Sequence, residues 1–289
     1  MKKRILLIGA HGQLGSDLEL ALQHHQVIGT THETLEVVHA GQVKETVEAA
    51  RPQIIINTSA YHKVDDCETE VMRAFEVNAC GVRNLALAAR ETDAVLVHFS
   101  TDYVFEGTAS RPYTEEDAPN PVNVYGVSKL AGEKIIRFLW RKSFVIRTCG
   151  LYGHAGSSGK GGNFVEMMLK KARNQESIRV VDDQRLTPTS TRELARKVVE
   201  LIETDHYGLY HITSNGECSW YEFARKIFEL QGIRADLAPT SSQAYRSPAK
   251  RPAYSVLANA RLQQLSMDDL KPWEAALQEY LEDRRHYSH

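Results

Sequence analysis

A short apolar run followed at once by a glycine-rich turn opens the chain and restricts its fold more than any other stretch. Arg4–Ile8 is apolar after its first residue, which predicts a buried parallel strand. Residues 9–15 follow with the spacing G-x-x-G-x-x-G, and an amphipathic segment continues over residues 16–23. Strand, glycine turn and helix in this order predict a dinucleotide site, with the phosphates at the helix N-terminus.

Each glycine of the turn has a separate use in such a site. Gly9 allows the sharp turn, Gly12 lets the backbone approach a pyrophosphate, and Gly15 permits close packing of the helix. The spacing differs from the commoner G-x-G-x-x-G, so a tight strand-to-helix turn without a ligand is the alternative. Its position directly after a strand favours the dinucleotide site.

The residue after the second predicted strand, Gln26–Thr30, bears on the choice of nicotinamide cofactor. An acidic residue there accepts hydrogen bonds from the ribose 2′-OH and repels a 2′-phosphate. This chain has Thr31 at that position, and its first acids are Glu33 and Glu36. No Arg follows this strand that could bind the 2′-phosphate either. The pattern favours NADP(H) and leaves NAD(H) as the alternative.

Strand and helix patterns alternate along the first half of the chain. Further strands are predicted at residues 53–57, 94–99 and 144–147, with helical patterns at 41–51 and 72–90. This alternation predicts an α/β fold with a Rossmann-type, doubly wound parallel sheet, whose ligands bind beyond the carboxyl ends of the strands.

The second half alternates less regularly. We expect residues 1–150 to form the dinucleotide-binding core, and residues 151–289 to form mainly a smaller substrate-binding lobe interleaved with the last strands of the core. Helices are predicted at residues 163–173 and 191–204, and strands at 178–181 and 208–213. Ser219 and Glu222 form a capping box that opens another helix.

Tyr125 and Lys129 lie four residues apart in a segment predicted to open a helix. Their side chains therefore project from one face, about 5–6 Å apart. The ammonium favours the phenolate and is expected to lower the phenol pKa from about 10, which suits a general acid or base. Such pairs also arise by chance on helix surfaces. Thr101 follows the fourth strand at the same sheet edge, so its hydroxyl is expected to meet Tyr125 around one substrate oxygen.

Composition excludes several classes of function. The 289 residues carry a formal net charge of −2, which gives no footprint for nucleic acid or a membrane surface. The four cysteines form no C-x-x-C pair, so neither disulfides nor a metal site is expected. The first apolar run is too short for a signal peptide or a membrane span. These features predict a cytoplasmic protein.

These motifs together resemble the extended short-chain dehydrogenase/reductases and, within that group, the dTDP-4-dehydrorhamnose reductase family. The resemblance runs from residue 3 to about residue 280. It rests on residues 9–15, 57–65, 100–107, 123–134, 147–148, 152–153, 163–164, 183–184, 188–189, 208–211, 218–224, 251–252 and 255. Several of these stretches are specific to the reductase and not to the wider group.

The resemblance implies NAD(P)H-dependent reduction of the C4 keto group of a nucleotide-linked 4-keto-6-deoxy sugar, with dTDP-4-dehydro-L-rhamnose as the expected substrate. It implies that Tyr125 protonates the C4 oxygen, Lys129 grips the nicotinamide ribose and Thr101 polarises the carbonyl. The residues implied to line the cofactor, besides the glycines and Thr31, are Gln13, Leu14, Ala60, Tyr61, Tyr125 and Lys129. Those implied to contact the substrate are Thr101, Asp102, Gly150, Asn163 and Arg251; a guanidinium suits a diphosphate.

The chain departs from the family pattern at two places. Gly150 stands where the family usually carries Trp, and the insertion between Gly153 and Asn163 is longer and richer in glycine. Both leave the exact sugar open. Tyr103 stands where a dehydratase relative has an acid, which disfavours 4,6-dehydration, whereas a nucleotide-sugar epimerase remains an alternative.

A binding module is the alternative from another class. The regulatory subunit of methionine adenosyltransferase resembles the same family and can retain much of the catalytic motif. A homodimer is also compatible with the sequence.

Overall fold

The computed structural model of the protein describes residues 2–155 and 162–287, with side chains described through residue 284. The strands in this part of the chain are β1 (Arg4–Ile8), β2 (Gln26–Thr30), β3 (Ile54–Asn57), β4 (Val95–Thr101), β5 (Ser143–Thr148), β6 (Leu151–Tyr152), β7 (Ile178–Val181), β8 (Arg185–Leu186), β9 (Thr189–Ser190), β10 (Gly208–His211), β11 (Cys218–Ser219) and β12 (Leu237–Thr240).

The α-helices of the same ranges are α1 (Gln13–Ala21), α2 (Ala40–Ala50), α3 (Val64–Cys67), α4 (Val71–Phe75), α5 (Val82–Thr92), α6 (Val124–Leu139), α7 (Phe164–Arg173), α8 (Thr191–Leu201), α9 (Trp220–Gln231), α10 (Ser242–Tyr245), α11 (Ala260–Gln264) and α12 (Trp273–Tyr287). A π-helical turn covers Glu76–Gly81 and a 3₁₀ turn covers Asp102–Val104. Among the described helices, none is both long and apolar enough to cross a membrane.

Six strands form one parallel sheet in the order β10-β5-β4-β3-β1-β2. The apolar runs of β1 and β3 are buried on both faces because helices cover both sides of a parallel sheet. The predicted doubly wound fold is confirmed. Since the strands run in the same direction, the ends of β1, β3, β4 and β5 meet at one edge, where Thr101 pairs with Thr148.

Two apolar cores sandwich the sheet. On one face, α1 and α8 pack together through residues that include Leu18 and Val198. On the other face, α2, α5 and α6 contribute Val47, Leu85 and Ile136. Because α8 and β10 belong to the second half of the chain, the core of the sheet draws on residues from both sides of position 150.

A third core lies in the second half of the chain. It joins α7, α9 and α12 through residues that include Val165, Phe223 and Leu277. The predicted capping box is present: Ser219 accepts from the backbone of Glu222, and the Glu222 carboxylate accepts from the backbone of Ser219. Gly232 ends the same helix at φ +63°, as the left-handed cap requires. That this lobe binds substrate stays a prediction.

The helix predicted over residues 72–90 is not continuous. A π-helical turn separates α4 from α5 and carries Asn78 inward. The Asn78 amide accepts from the backbone N–H of Tyr61 at 2.9 Å, and its amino group lies 3.0 Å from both the Tyr61 carbonyl and the Ser128 hydroxyl. The spacing of apolar residues in the sequence does not reveal this local change from an α-helix to a π-helix. Helix α1 also begins at Gln13, earlier than predicted, so Gly15 lies inside it.

Helix α6 is tied to the sheet by a buried ion pair. The Glu133 carboxylate accepts from Arg147 on β5, with Nη2–Oε2 at 2.7 Å and Nε–Oε1 at 2.9 Å, and also from the Ser100 hydroxyl. The two charged side chains are 7% and 3% exposed. Arg147 also lies 3.5 Å from His211 Nε2, and burial together with the Arg147 charge lowers the pKa of His211 to about 3. This network fixes α6 against β4 and β5.

Removing one partner of this pair is expected to destabilise the protein strongly. Arg147→Met leaves the Glu133 carboxylate buried without its cation, which costs about 3–5 kcal/mol of unfolding free energy. Arg111→Met is the matched control, because the Arg111–Asp117 pair is 61% and 22% exposed and water screens it, so its loss should change stability little. Urea denaturation measures both values. Equal losses in the two variants would contradict this account of the ion pair.

Candidate active site

The carboxyl edge of the sheet opens into a cleft of about 1200 Å³. Most of the predicted site residues line it, namely Gly9, Gly12, Gln13, Leu14, Thr31, Ala60, Tyr61, Thr101, Asp102, Tyr125, Lys129, Gly150 and Asn163. The glycine turn and the end of β2 lie on one part of the wall, whereas Phe164, Arg185 and Trp220 come from the second half of the chain. Tyr125 and Lys129 thus share a cleft with the glycine turn.

The glycine turn leaves room and free donors for a phosphate. Gly9 has φ +80°, and a Cβ there would lie 2.5 Å from Thr58 Oγ1. Helix α1 begins after Gly12 without a side-chain cap, so its first N–H groups are available at the cleft. Gln13 Oε1 is buried and has no hydrogen-bond partner among the described residues. The glycine backbone and the first N–H groups of α1 fit the pyrophosphate of a dinucleotide, whereas the Gln13 oxygen can only accept and fits a hydroxyl or N–H donor.

Gly15 does not line the cleft, so the geometry does not support its predicted contact with a cofactor, whereas it does show the predicted close packing of the helix. A Cβ at this position would lie 2.1 Å from the Gly9 carbonyl oxygen and 2.8 Å from that of Ala10. The missing side chain lets α1 pack directly against the turn. Gly15 therefore supports the turn by close packing against its backbone, away from the cleft.

The first turn of α6 presents Tyr125 to the cleft. Asn123 caps the helix, its side-chain oxygen accepting from Gly126 N–H at 2.8 Å. A Cβ at Gly126 would lie 2.1 Å from the Tyr103 carbonyl oxygen, so only glycine permits this close approach of α6 to the 3₁₀ turn. The Tyr103 and Tyr125 rings meet edge to face at 6.1 Å. Packing thus brings the Tyr125 hydroxyl close to that of Thr101.

Burial dominates the electrostatics of the pair. The pKa of Tyr125 lies well above its usual value because the phenol is buried and the Asp102 carboxylate lies nearby, while the hydrogen bond with Thr101 acts in the opposite direction. The net shift is therefore opposite to the expected lowering of the phenol pKa below 10, because desolvation outweighs the attraction of the Lys129 ammonium. Burial also lowers the pKa of Lys129 to about 8, against the attraction of Glu133. At neutral pH Tyr125 keeps its proton and Lys129 its charge.

Asp102 lines the cleft, but its carboxylate is engaged by neighbours. Thr101 donates to one oxygen at 3.0 Å, and the Cys149 thiol donates to the other at 3.0 Å. Ser255 also hydrogen-bonds to it. Neither Cys149 nor Ser255 is predicted as a site residue, because no spacing in the sequence connects positions so far from Asp102.

Arg251 is not positioned as predicted for a diphosphate. Its guanidinium forms a bidentate pair with Asp65, at 3.1 and 3.0 Å, and it does not line the cleft. The planar fork of the guanidinium matches a carboxylate as well as a phosphate, so an internal partner satisfies it. Contact of Arg251 with substrate stays a prediction, and in this structure its ion pair with Asp65 ties the loop before Pro252 to α3.

The Asn163 amide is likewise used within the chain. Its oxygen accepts from Glu166 N–H at 3.0 Å and caps α7, while its amino group donates to the Gly153 carbonyl at 2.8 Å and to the Tyr280 hydroxyl at 3.2 Å. Asn163 therefore lines the cleft with its amide already satisfied. A direct substrate contact through that amide is not supported.

Several residues of the second half line the cleft without having been predicted, among them Phe164, Arg185 and Trp220. The Phe164 and Trp220 rings lie 4.7 Å apart, and Arg185 pairs with Glu217 at 2.9 Å and Glu222 at 3.3 Å. Trp220 follows the capping-box serine, but the box predicts only a helix start. Most of the glycine-rich insertion after Gly153, residues 156–161, lies outside the described residues.

Comparison with known proteins agrees with this geometry. The family described as "RmlD substrate binding domain" matches residues 2–286. The chain belongs to this family, which confirms the resemblance inferred from the motifs. Spore coat polysaccharide biosynthesis protein SpsK of Bacillus subtilis is 38% identical, covering 97% of this chain and 98% of its own length.

Two solved structures are also similar to this member of the family. A dTDP-4-dehydrorhamnose reductase of Clostridium acetobutylicum has a TM-score of 0.93 and 40% identity, covering 99% of this chain and 100% of its own. The dTDP-4-dehydrorhamnose reductase of Bacillus anthracis, solved in complex with NADP, has a TM-score of 0.94 and 38% identity, covering 98% and 100%. The extended short-chain dehydrogenase/reductase fold is thus shared over the full chain.

The lowered pKa of Lys129 makes stability depend on pH in a defined window. Between about pH 8 and the unfolded value of about 10.4, the unfolded chain binds more protons than the folded one, so stability rises with pH. In Lys129→Met this contribution is absent. The unfolding free energy of wild type minus that of the variant should therefore rise from pH 8 to 10, by about 1.4 kcal/mol per unit of the pKa difference.

Lys134→Met, at an exposed position of the same helix, is the matched control. Its difference from wild type is expected to stay flat, because an exposed ammonium is hydrated in both states. Parallel pH trends for the two variants would show that the Lys129 pKa is not lowered by burial.

Proposed function

We propose that the protein uses NADPH to reduce the C4 keto group of a nucleotide-linked 4-keto-6-deoxy sugar, with dTDP-4-dehydro-L-rhamnose as the substrate to test first. The observation that carries the proposal is the meeting of Thr101, Tyr125 and Lys129 with the uncapped glycine turn in one cleft. The two solved relatives named as dTDP-4-dehydrorhamnose reductases, one of them in complex with NADP, support it.

A bound nicotinamide dinucleotide would supply the hydride, and the chain supplies everything else. The glycine turn and the first turn of α1 hold the pyrophosphate. Tyr125, protonated at neutral pH, donates its proton to the carbonyl oxygen as negative charge develops there. The nearby Lys129 ammonium stabilises the phenolate that this transfer leaves. Burial of Lys129 and partial burial of Tyr125 strengthen both effects, because water screens charges less at such positions.

The end of β2 supports NADPH as the preferred cofactor. Thr31 lines the cleft there and offers no carboxylate to repel a 2′-phosphate. Its backbone N–H is held by the Thr34 hydroxyl at 2.9 Å, which fixes the turn after β2. Glu33 and Glu36 also line this end of the cleft, so NADH remains the competing cofactor.

Gly12→Val is expected to weaken NADPH binding selectively. The valine side chain would occupy the space that a pyrophosphate needs, and such an overlap costs about 1–3 kcal/mol, or roughly 10–100-fold in Kd. Gly41→Val is the control, because a Cβ at Gly41 meets no atom within 4 Å. Titration of NADPH fluorescence measures both. Wild-type affinity in Gly12→Val would place the cofactor elsewhere.

Tyr125→Phe removes one hydroxyl and almost no volume, so the variant should fold and bind NADPH. Loss of a positioned general acid should lower turnover by about 10²–10⁴. Tyr245→Phe, at a residue that is 63% exposed, is the matched control and should be unchanged. Consumption of NADPH with the keto sugar is followed by absorbance.

The two negative outcomes of this assay have different meanings. Near-normal turnover in Tyr125→Phe would assign the proton donor to another residue. Failure of the wild-type protein to reduce any 4-keto-6-deoxy sugar tested would refute the proposed function and favour the non-catalytic binding module.

A further inference from the structure

A buried carboxylate lies directly behind the predicted catalytic hydroxyl. Asp102 is 3% exposed and follows Thr101 at the end of β4. Its hydrogen-bond donors are the Thr101 hydroxyl at 3.0 Å, the Cys149 thiol at 3.0 Å and the Ser255 hydroxyl, all of them neutral. Among the side chains that the structure describes, no cation forms an ion pair with it. An ionised Asp102 is thus stabilised only by hydrogen bonds from neutral donors.

Groups from four segments face this carboxyl. They are the Tyr103 phenol of the 3₁₀ turn, the Tyr125 phenol of α6, the Cys149 thiol after β5, and the loop that carries Ser255 and Arg251, whose guanidinium hydrogen-bonds to Tyr103. Burial raises the pKa of Asp102, and the hydrogen bonds from Ser255, Cys149 and Thr101 oppose that rise. Burial also raises the pKa of Cys149, Tyr103 and Tyr125, so these neighbours stay neutral.

The Thr101 hydroxyl has one proton and two lone pairs to distribute. One lone pair accepts from the Tyr103 N–H at 3.2 Å. If Asp102 is ionised it can only accept, so the Thr101 proton must point to it. A Tyr125 hydroxyl that hydrogen-bonds to Thr101 in this state must donate to its remaining lone pair, and neither hydroxyl then donates into the cleft.

A proton on Asp102 reverses this arrangement. The carboxyl then donates to Thr101 and occupies its second lone pair, so the Thr101 proton is released. It can point into the cleft beside that of Tyr125. Two donors would then meet the carbonyl oxygen on which negative charge develops during reduction.

We propose that Asp102 is a positioning residue whose protonation state sets the direction of the Thr101 hydroxyl, and that only the protonated carboxyl lets Thr101 donate to the C4 oxygen of the substrate. The proposal rests on the proposed function. Asp102 itself gains and loses no proton in turnover. A bound dinucleotide would supply the hydride for the new C–H bond at C4, Tyr125 gives its proton to the C4 oxygen, and solvent returns a proton to Tyr125.

The test is the pH profile of kcat for reduction. In wild type, kcat should fall as pH rises through the ionisation of Asp102, by about 10²–10³ in total, the worth of one donor to a developing oxyanion. Asp102→Asn should lose this decline. Its amino group donates to Thr101 at every pH, while its oxygen accepts from Cys149 and Ser255. A decline in kcat near pH 8 that comes from deprotonation of Lys129 should remain in both proteins.

A double-mutant cycle separates positioning from a merely structural role. Thr101→Val removes the hydroxyl through which Asp102 acts, so adding Asp102→Asn to it should change neither kcat nor its pH profile. Ser255→Ala removes a donor that stabilises the charged carboxylate, so the decline should move to higher pH. This last variant keeps the carboxyl in place and tests the proposal even if Asp102→Asn fails to fold.

The same decline in wild type and Asp102→Asn would overturn the proposal, as would additive effects of the Thr101 and Asp102 substitutions or an unmoved decline in Ser255→Ala. Each of these results requires a wild-type protein that turns over the keto sugar. A wild type without turnover overturns the proposed function instead, so the two failures are distinguishable.

Discussion

The buried Glu133 carboxylate fixes the geometry of the whole cleft. It accepts from Arg147 on β5 and from Ser100 on β4, so α6 cannot slide or rotate on the sheet without breaking a charged contact in a dry interior. Tyr125, Lys129 and Glu133 are spaced four residues apart, and they therefore share one helix face. Fixing Glu133 fixes the other two relative to the ends of β4 and β5.

Desolvation, more than pairing of charges, sets the chemistry of the site. A phenol and an ammonium four residues apart on an exposed helix would favour the phenolate. In the buried cleft the cost of removing charge from water is larger, so Tyr125 is held neutral and Lys129 becomes easier to deprotonate. A proton donor for reduction needs the neutral phenol, and burial provides it.

Local sequence signals predicted the elements and the shared position of Tyr125 and Lys129 well. The glycine turn, the apolar strands and the Tyr125/Lys129 spacing each depend on neighbours within a few residues, and the structure brings them to one sheet edge. Contacts between segments far apart in the sequence could not be predicted from it. Nothing near Arg251 in the sequence shows that Asp65, 186 positions away, occupies its guanidinium.

The same limit applies to the surroundings of Asp102 and to the helix around Asn78. Cys149 and Ser255 approach Asp102 only because β4, β5 and a late loop converge. The π-helical turn at Asn78 depends on hydrogen bonds to Tyr61 and Ser128 rather than on its own residues. Gly15 shows the intermediate case, in which the motif was found but its partner turned out to be the backbone of Gly9.

The position of β10 at the end of the sheet has a consequence for synthesis of the chain. Its neighbour β5 ends at Thr148, but β10 begins only at Gly208, after all the residues that build α7 and α8. A nascent chain that has left the ribosome only as far as β5 therefore exposes an unpaired strand edge and the apolar face that α8 later covers. Such an edge recruits other chains. The two halves of this protein must therefore fold together, and a separated N-terminal half would be prone to aggregate.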